Sequence, residues 1–213
     1  MIVKLISYSQ PVEGDNSVQD LIAYCARVSN PTNQNNKQTS EKLLNYLAKE
    51  KHWSPFEMVS ACLEIETTRD IARQILRHRS FSFQEFSQRY AEQTEFTVFK
   101  EARMQDKKNR QNSTETDNVD VKMEWIKKQA EVAVAVKNSY SWALENNIAK
   151  EQARAVLPEG MTLSRMYMNG TLRSWIHYIE LRSGNGTQKE HREIAIACAE
   201  ALRPIFPIID KYI

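Results

Sequence analysis

The sequence predicts a helix-rich α+β fold in a single domain. Apolar residues recur at intervals of three and four along most of the chain, the spacing that lines one face of a helix. Two runs, Ile2–Ser9 and Glu57–Thr67, instead alternate at period two, as half-buried strands do. No internal repeat or interdomain linker divides the 213 residues, a length that supports one sizeable core.

Ile2–Ser9 opens the fold as a strand, and Ser17 offers a capping hydroxyl to a helix running through Val28, with Val18, Leu21, Ile22 and Cys25 on one face. Asn30–Gln38 has nothing to bury and reads as a loop; Thr39 or Ser40 begins a second helix, on which Leu43, Leu44 and Leu47 share a side. In Glu57–Thr67, Val59, Ala61, Leu63 and Ile65 form a buried face and Met58, Ser60, Cys62 and Glu64 a mixed one. Thr68 then caps a helix ending near Arg79, its core side built from Ile71, Ala72, Ile75 and Leu76. Lys100–Asn118 is too polar to pack, so a mobile loop is expected over about 104–118.

A long helix follows from Val119 to about Asn147, carrying Val121, Trp125, Ile126, Val132, Val136 and Leu144. Lys150–Leu157 continues as a short helix that Pro158 stops. Met161–Met168 reads as a strand and Asn169-Gly170 as a turn. Thr171–Leu181 and Thr187–Leu202 are amphipathic helices, and Pro204 and Pro207 break the tail.

Composition narrows the function. With 29 basic and 27 acidic residues the chain is not a polycation that coats nucleic acid, so any basic patch is local. Cys25, Cys62 and Cys198 are odd in number and widely spaced, which fits reduced cytoplasmic thiols and neither a disulfide framework nor a zinc site. No leader and no membrane-length apolar run is expected, because Met1–Leu5 gives way to polar Ser7. The four histidines lack paired spacing, so no metal site is predicted. Neither common glycine-rich phosphate cradle is present, leaving Arg, Ser and helix N-termini to hold any phosphate.

Residues 77–90 carry the chemistry. Arg77, His78, Arg79, Ser80, Phe81, Ser82, Phe83, Glu85, Phe86, Ser87, Arg89 and Tyr90 place three guanidinium groups, an imidazole, three hydroxyls and four aromatic rings around one carboxylate. Guanidinium forks match phosphate oxygens and aromatic faces suit flat heterocycles, so a nucleotide or dinucleotide fits this surface. On the preceding helix Arg69, Arg73 and Arg77 recur four residues apart. Asp70 can relieve Arg73, nothing nearby answers Arg77 and Arg79, and Gln74 lies one turn before His78. Taken alone, these residues leave a solvated basic face and a nucleotide site evenly matched.

The spacing Arg77-His78-Arg79-x-x-Ser82-x-x-Glu85-x-Ser87-x-Arg89-Tyr90 resembles the signature of the flavin-dependent thymidylate synthases. Further segments resemble that family in the same order: Cys25-Ala26-Arg27-Val28-Ser29, His52-Trp53-Ser54-Pro55-Phe56-Glu57, Ala72-Arg73-Gln74, Ala153–Pro158, and Leu172–His177 followed by Leu181-Arg182. The resemblance implies a central, mostly antiparallel sheet within the helix-rich domain, one domain over 1–213, and a homotetramer whose active sites lie where subunits meet. It implies reductive methylation of dUMP to dTMP, with methylenetetrahydrofolate as carbon donor and FAD reduced by NADPH. By position, Gln74, Arg77, Glu85, Ser87, Arg89, Arg154 and Arg182 would hold dUMP. Ser29, His52, Ser54, Arg77, His78, Arg79, Glu85, Arg173 and His177 would line the FAD site.

No cysteine follows a proline here, so the thiol adduct used by the classical thymidylate synthases has no counterpart. Arg182 is the catalytic candidate instead, as a guanidinium beside the pyrimidine that stabilises negative charge on N3 and O4. Ser87 reads as a binding hydroxyl. The chain departs from the family at Met58, where many relatives carry His, at Gln84 in place of Asn, at Thr171, where some relatives have Asn, and over Gly184–His191, which keeps only Gln188 and Glu190 of that motif. Duller readings stand beside these: His177 as a satisfied core histidine, His52 as a helix-end cap, Glu57 as a partner for a strand-edge cation, His191 on an exposed turn, and Arg154 and Arg173 as surface charges. A single-stranded nucleic-acid-binding module and an FAD-dependent reductase are the rival functions.

Overall fold

The strongest alternation in the sequence forms the second strand of the sheet. The computed structural model describes every residue except Met1, Glu13, Asp15, Asn16 and Asn185. Strand β2 (Ser60–Thr68) pairs with β1 (Ile2–Tyr8) on one side and with β6 (Leu163–Thr171) on the other; β3 (Ser82–Glu85) extends β6. All neighbours are antiparallel, in the order β1-β2-β6-β3.

Val59, Ala61, Leu63 and Ile65 are at most 1 % exposed, so the expected face is the core face. Across the register Met166 and Met168 of β6 are likewise fully buried. The opposite face carries cross-strand polar pairs: the Tyr167 hydroxyl donates to Glu64 at 2.9 Å, Arg165 Nε to Glu66 at 2.8 Å, and Lys4 lies 3.6 Å from Glu64. Each is a directly opposed register pair, the geometry in which sheet side chains interact best.

Helices cover the apolar face. Helix α1 (Val18–Ala26) starts at Ser17 with a complete capping box to Asp20, and ends two residues before the predicted Val28. Helix α2 (Ser40–Lys49) buries Leu44 and Leu47. Its end is a Schellman turn, with Lys51 N–H on the Ala48 carbonyl at 3.1 Å, His52 N–H on the Leu47 carbonyl at 2.8 Å, and Lys51 at φ 58°. Helix α3 (Arg69–Ile75) follows β2 directly; α6 (Leu172–Arg182) and α7 (Lys189–Leu202) pack Trp175, Tyr178, Ile179, Ile194 and Cys198 into the same core. Helix α4 (Val119–Glu145) and the short α5 (Lys150–Ala153) build a smaller cluster from Phe96, Val136, Tyr140, Ala143, Ala153 and Leu157.

Several expectations need correction. The helix after Thr68 ends at Ile75, short of Arg79, and Thr68 does not cap it with its side chain; the carbonyls of Thr162 and Glu159 take the first two N–H groups instead. Arg69, Arg73 and Arg77 do not stack: Arg69 is buried against Glu85 at 3.5 Å, Arg73 pairs with Glu159 at 3.1 Å, and Arg77 lies beyond the helix. Asp70 pairs with Lys100 at 3.6 Å and not with Arg73. Asn169-Gly170 is no turn, because β6 runs through it; a Cβ on Gly170 would lie 2.4 Å from the Phe81 ring, so this glycine gives an aromatic side chain room.

The polar stretch expected as an unstructured loop contains an antiparallel hairpin, β4 (Arg103–Gln105) with β5 (Ser113–Glu115), closed by Asp106, which accepts from the backbone of Lys108 and Asn109. Lys150–Leu157 divides into α5 and a 3-10 turn over Arg154–Val156. On α4 only Val136 and Leu144 of the expected apolar row pack inward; Val121, Trp125, Ile126 and Val132 are exposed.

Candidate active site

The turn between α3 and β3 delivers the signature residues. His78 N–H bonds the Ile75 carbonyl at 3.0 Å and Phe81 N–H bonds the His78 carbonyl at 3.3 Å, so Arg77–Ser80 fold back at the end of α3. Helix α6 holds this turn: Ser174 Oγ donates to the Ser80 carbonyl at 3.2 Å, and Phe81 packs edge-on against Trp175 with ring centres 4.8 Å apart. Within the turn, Arg77 and Arg79 are exposed and form no ion pair among the described residues.

His78 meets Arg182 at the far end of α6. Arg182 Nε donates to His78 Nε2 at 2.9 Å, and His78 packs edge-on against Tyr178 at 4.8 Å. Burial, then the Arg182 charge, lowers the His78 pKa to about 4, so the ring is neutral near pH 7 and accepts at Nε2. No carboxylate pairs with Arg182 among the described residues, which leaves its two terminal nitrogens for a ligand.

Behind this pair lies His191, which the sequence reading placed on an exposed turn. It is fully buried on α7, with Nε2 3.1 Å from the Tyr178 hydroxyl and Nδ1 3.2 Å from Gln74 Oε1. Burial, then Arg182 and His78, lowers its pKa to about 3, while burial raises the Tyr178 hydroxyl well above its usual range. Gln74 Nε2 donates to Gln188 Oε1 at 2.8 Å, and Gln188 Nε2 to Glu190 at 2.9 Å. Arg103 of β4 closes the row on Glu190; burial there raises the Glu190 pKa, but the bonds from Arg103, its own backbone and Gln188 outweigh it and the net shift is downward. Only the helical phase of His191 against Ile194, Ala195 and Cys198 could have signalled its burial in the sequence.

The other candidate residues fall into separate groups. Arg89 reaches Glu151 at 3.3 Å and Arg154 Nε donates to the Glu151 carbonyl at 3.2 Å, so these two cations share one segment, with Ser87 bonded to the Arg89 backbone at 3.4 Å. Glu85 turns inward, accepting from Ser164 at 2.8 Å beside Arg69, and so is already neutralised within the chain. His52 and Ser54 flank Trp53, against which His177 packs edge-on at 4.8 Å; Glu57 pairs with Arg173 of α6 and not with a strand-edge cation. Burial, then Arg173, lowers the His177 pKa. Ser29 is exposed past α1, and no side-chain hydrogen bond joins it to these groups among the described residues. Within one chain, hydrogen bonds link Gln74 to His191 and Arg182 to His78; none links Arg77, Ser87 or Arg154 to them among the described residues.

Residues 4–208 match the family described as thymidylate synthase complementing protein. The chain is 52 % identical over 212 residues to the probable flavin-dependent thymidylate synthase of Paramecium bursaria Chlorella virus 1, covering 99 % of this chain and 98 % of that one. It is 51 % identical to the flavin-dependent thymidylate synthase of Synechocystis sp., covering 98 % and 97 % of the two chains. In fold it is similar to the crystal structure of the UMP/dUMP methylase PolB from Streptomyces cacaoi, with a TM-score of 0.81 at 23 % identity over 99 % of this chain and 93 % of that one.

Proposed function

Because the chain belongs to the thymidylate synthase complementing protein family, the flavin-dependent thymidylate synthases, we propose that it methylates dUMP reductively to dTMP. Methylenetetrahydrofolate is the carbon donor and NADPH the reductant. The observation that carries this reading is Arg182, a cation held at Nε by a neutral histidine and matched by no carboxylate among the described residues. With its terminal nitrogens against the pyrimidine, that charge stabilises electron density on N3 and O4 and makes C5 nucleophilic without a thiol adduct.

Neither Cys62 nor Cys198 suits a thiolate route. Burial raises the thiol pKa of Cys62, and Cys198 is fully buried with its thiol pushed up the same way, so both stay protonated at neutral pH.

The residues present suit a flavin dinucleotide. Arg77 and Arg79 are exposed cations without carboxylates among the described residues, as a diphosphate requires, and His177 on Trp53 with His52, Ser54 and Arg173 offers rings and donors for the remainder. Reduced FAD, when bound, supplies the hydride that completes the methyl group. The chain's own part is to orient: the Ser80–Ser174 bond and Phe81 against Trp175 fix where the Arg77–Arg79 turn stands relative to Arg182.

The groups separated within one chain are completed by another copy. Arg89 and Arg154 supply phosphate charge from one subunit while Gln74 and Arg182 of a neighbour face the uracil, in a homotetramer. The exposed apolar row Val121, Trp125, Ile126 and Val132 on α4, with Trp142 59 % exposed, supports a large covered face between copies. The whole chain then works as one catalytic domain in the cytoplasm, with neither nucleic acid nor membrane as partner; among the described residues no helix is long and apolar enough to cross a membrane.

Tritium release from [5-³H]dUMP tests the reading. Release that requires FAD, NADPH and the folate together is expected. Flavin reduction by NADPH with no release would indicate the reductase instead, and a purified protein with no affinity for FAD would refute both.

A further inference from the structure

The hydrogen-bonded row from Arg103 to Tyr178 has a fixed direction, set at one end by a group that cannot donate. Glu190, an ionised carboxylate held by Arg103, only accepts, so Gln188 must turn its amide N–H toward it. The carbonyl of Gln188 then faces Gln74, which must give it an N–H at 2.8 Å. That leaves Gln74 Oε1 facing His191 at 3.2 Å, so the buried imidazole carries its proton on Nδ1, and Nε2 accepts from the Tyr178 hydroxyl at 3.1 Å. Each link from Glu190 to Gln74 runs in one sense, and reversing either amide would set donor against donor or acceptor against acceptor.

Gln74 emerges from this row with one unused N–H and its carbonyl already engaged. We propose that Gln188, itself oriented by Glu190, is a positioning residue that locks Gln74 as a hydrogen-bond donor and so makes the site select a pyrimidine with a carbonyl at C4 over one with an amino group there; His191 follows this direction, because a neutral imidazole can carry its proton on either nitrogen. This rests on the uridylate reading above and deepens it. Uracil O4 has lone pairs for both the Gln74 N–H and Arg182, whereas the 4-amino group of cytosine would set N–H against N–H. An amide free to rotate would accept either base, because it offers an acceptor when turned over.

The test is equilibrium binding of dUMP and dCMP to the FAD-loaded protein and its variants. Gln188→Met cuts the row at a half-buried link, and Glu190→Gln keeps the shape but lets the Gln188 amide turn over. The preference for dUMP over dCMP should fall about tenfold in each, the loss of about one oriented hydrogen bond, with flavin content unchanged throughout. A merely structural role would weaken both nucleotides alike and leave their ratio as it was. An unchanged dUMP/dCMP ratio in folded Gln188→Met, or in Glu190→Gln should the first variant fail to fold, would overturn the inference while leaving the uridylate reading intact. Binding of neither nucleotide by the parent protein would overturn both.

Discussion

Gly170→Ala probes the contact that sets the signature turn against α6. The backbone at Gly170 lies in β6 at a φ any residue can adopt, so the substitution acts through space alone. A methyl there would stand 2.4 Å from Cδ1 and 2.6 Å from Cε1 of Phe81, far inside contact distance. The ring cannot swing aside freely, because it is buried between Trp175 at 4.8 Å and Tyr178 at 5.9 Å. Either β6 shifts or Phe81 leaves its seat, and overpacking of this kind costs about 1–3 kcal/mol. For a chain of this size 1 kcal/mol lowers Tm by roughly 2–4 °C, so a fall of about 5 °C by scanning calorimetry is expected. Turnover should fall as well, since Phe81 follows the Ser80 carbonyl that Ser174 holds. A double-mutant cycle sharpens the point: Phe81→Ala removes the atoms the new methyl would strike, so Gly170→Ala should add little to it. A Tm within about 1 °C of the parent for Gly170→Ala alone, or full additivity with Phe81→Ala, would refute the steric account.

Arg182→Ala should abolish tritium release from dUMP while FAD stays bound, measured by flavin absorbance after gel filtration; equal activity would remove its catalytic role. The same change takes a charge from beside His78, so the His78 pKa should rise from about 4, yet stay below its usual value because burial, the larger cause, remains; imidazole NMR titration reads this. His78 and His191 are depressed to about 4 and about 3, so the unfolded chain binds more protons than the folded one at acid pH, and stability present above about pH 6.5 should be lost as pH falls toward 4 and then 3. Denaturant midpoints that do not move between pH 7 and 4 would contradict this. Replacing Cys25, Cys62 and Cys198 together by Ser should leave turnover intact in the folded variant, and its loss would reopen cysteine catalysis. Lys51→Gly should raise stability by about 0.5–1 kcal/mol in urea titration, because Lys51 sits at φ 58° at the end of α2, where a Cβ is strained.

Local patterns were legible where one face meets one environment. Val59, Ala61, Leu63 and Ile65 declared their strand because β2 has helices on one side and solvated pairs on the other. Ser17 declared its helix because the cap needs only Asp20, three residues on. Arg77, His78 and Arg79 could be read as a ligand surface because nothing nearby in sequence could neutralise them. The reading failed where long-range contacts decide. Asn169-Gly170 looks like a turn by composition, yet Phe81, remote in sequence, occupies the space a side chain would fill. The row on α4 has a regular period but joins neither core cluster among the described residues, so periodicity alone placed Val121, Trp125, Ile126 and Val132 in a core they do not reach.

By itself, then, the sequence determined the helix-rich α+β class, the strands around Leu63 and Met166, and the cluster of guanidinium and aromatic groups that identifies the chemistry. These follow from periodicity and side-chain type, which act between near neighbours. Only the tertiary structure decided that Glu85 is spent on Arg69, that Arg182 rests on a neutral His78, and that His191 is buried against Gln74 and Tyr178. Protonation state and hydrogen-bond direction depend on which groups exclude water from one another, and that is fixed by packing between α3, α6 and α7 rather than by order along the chain.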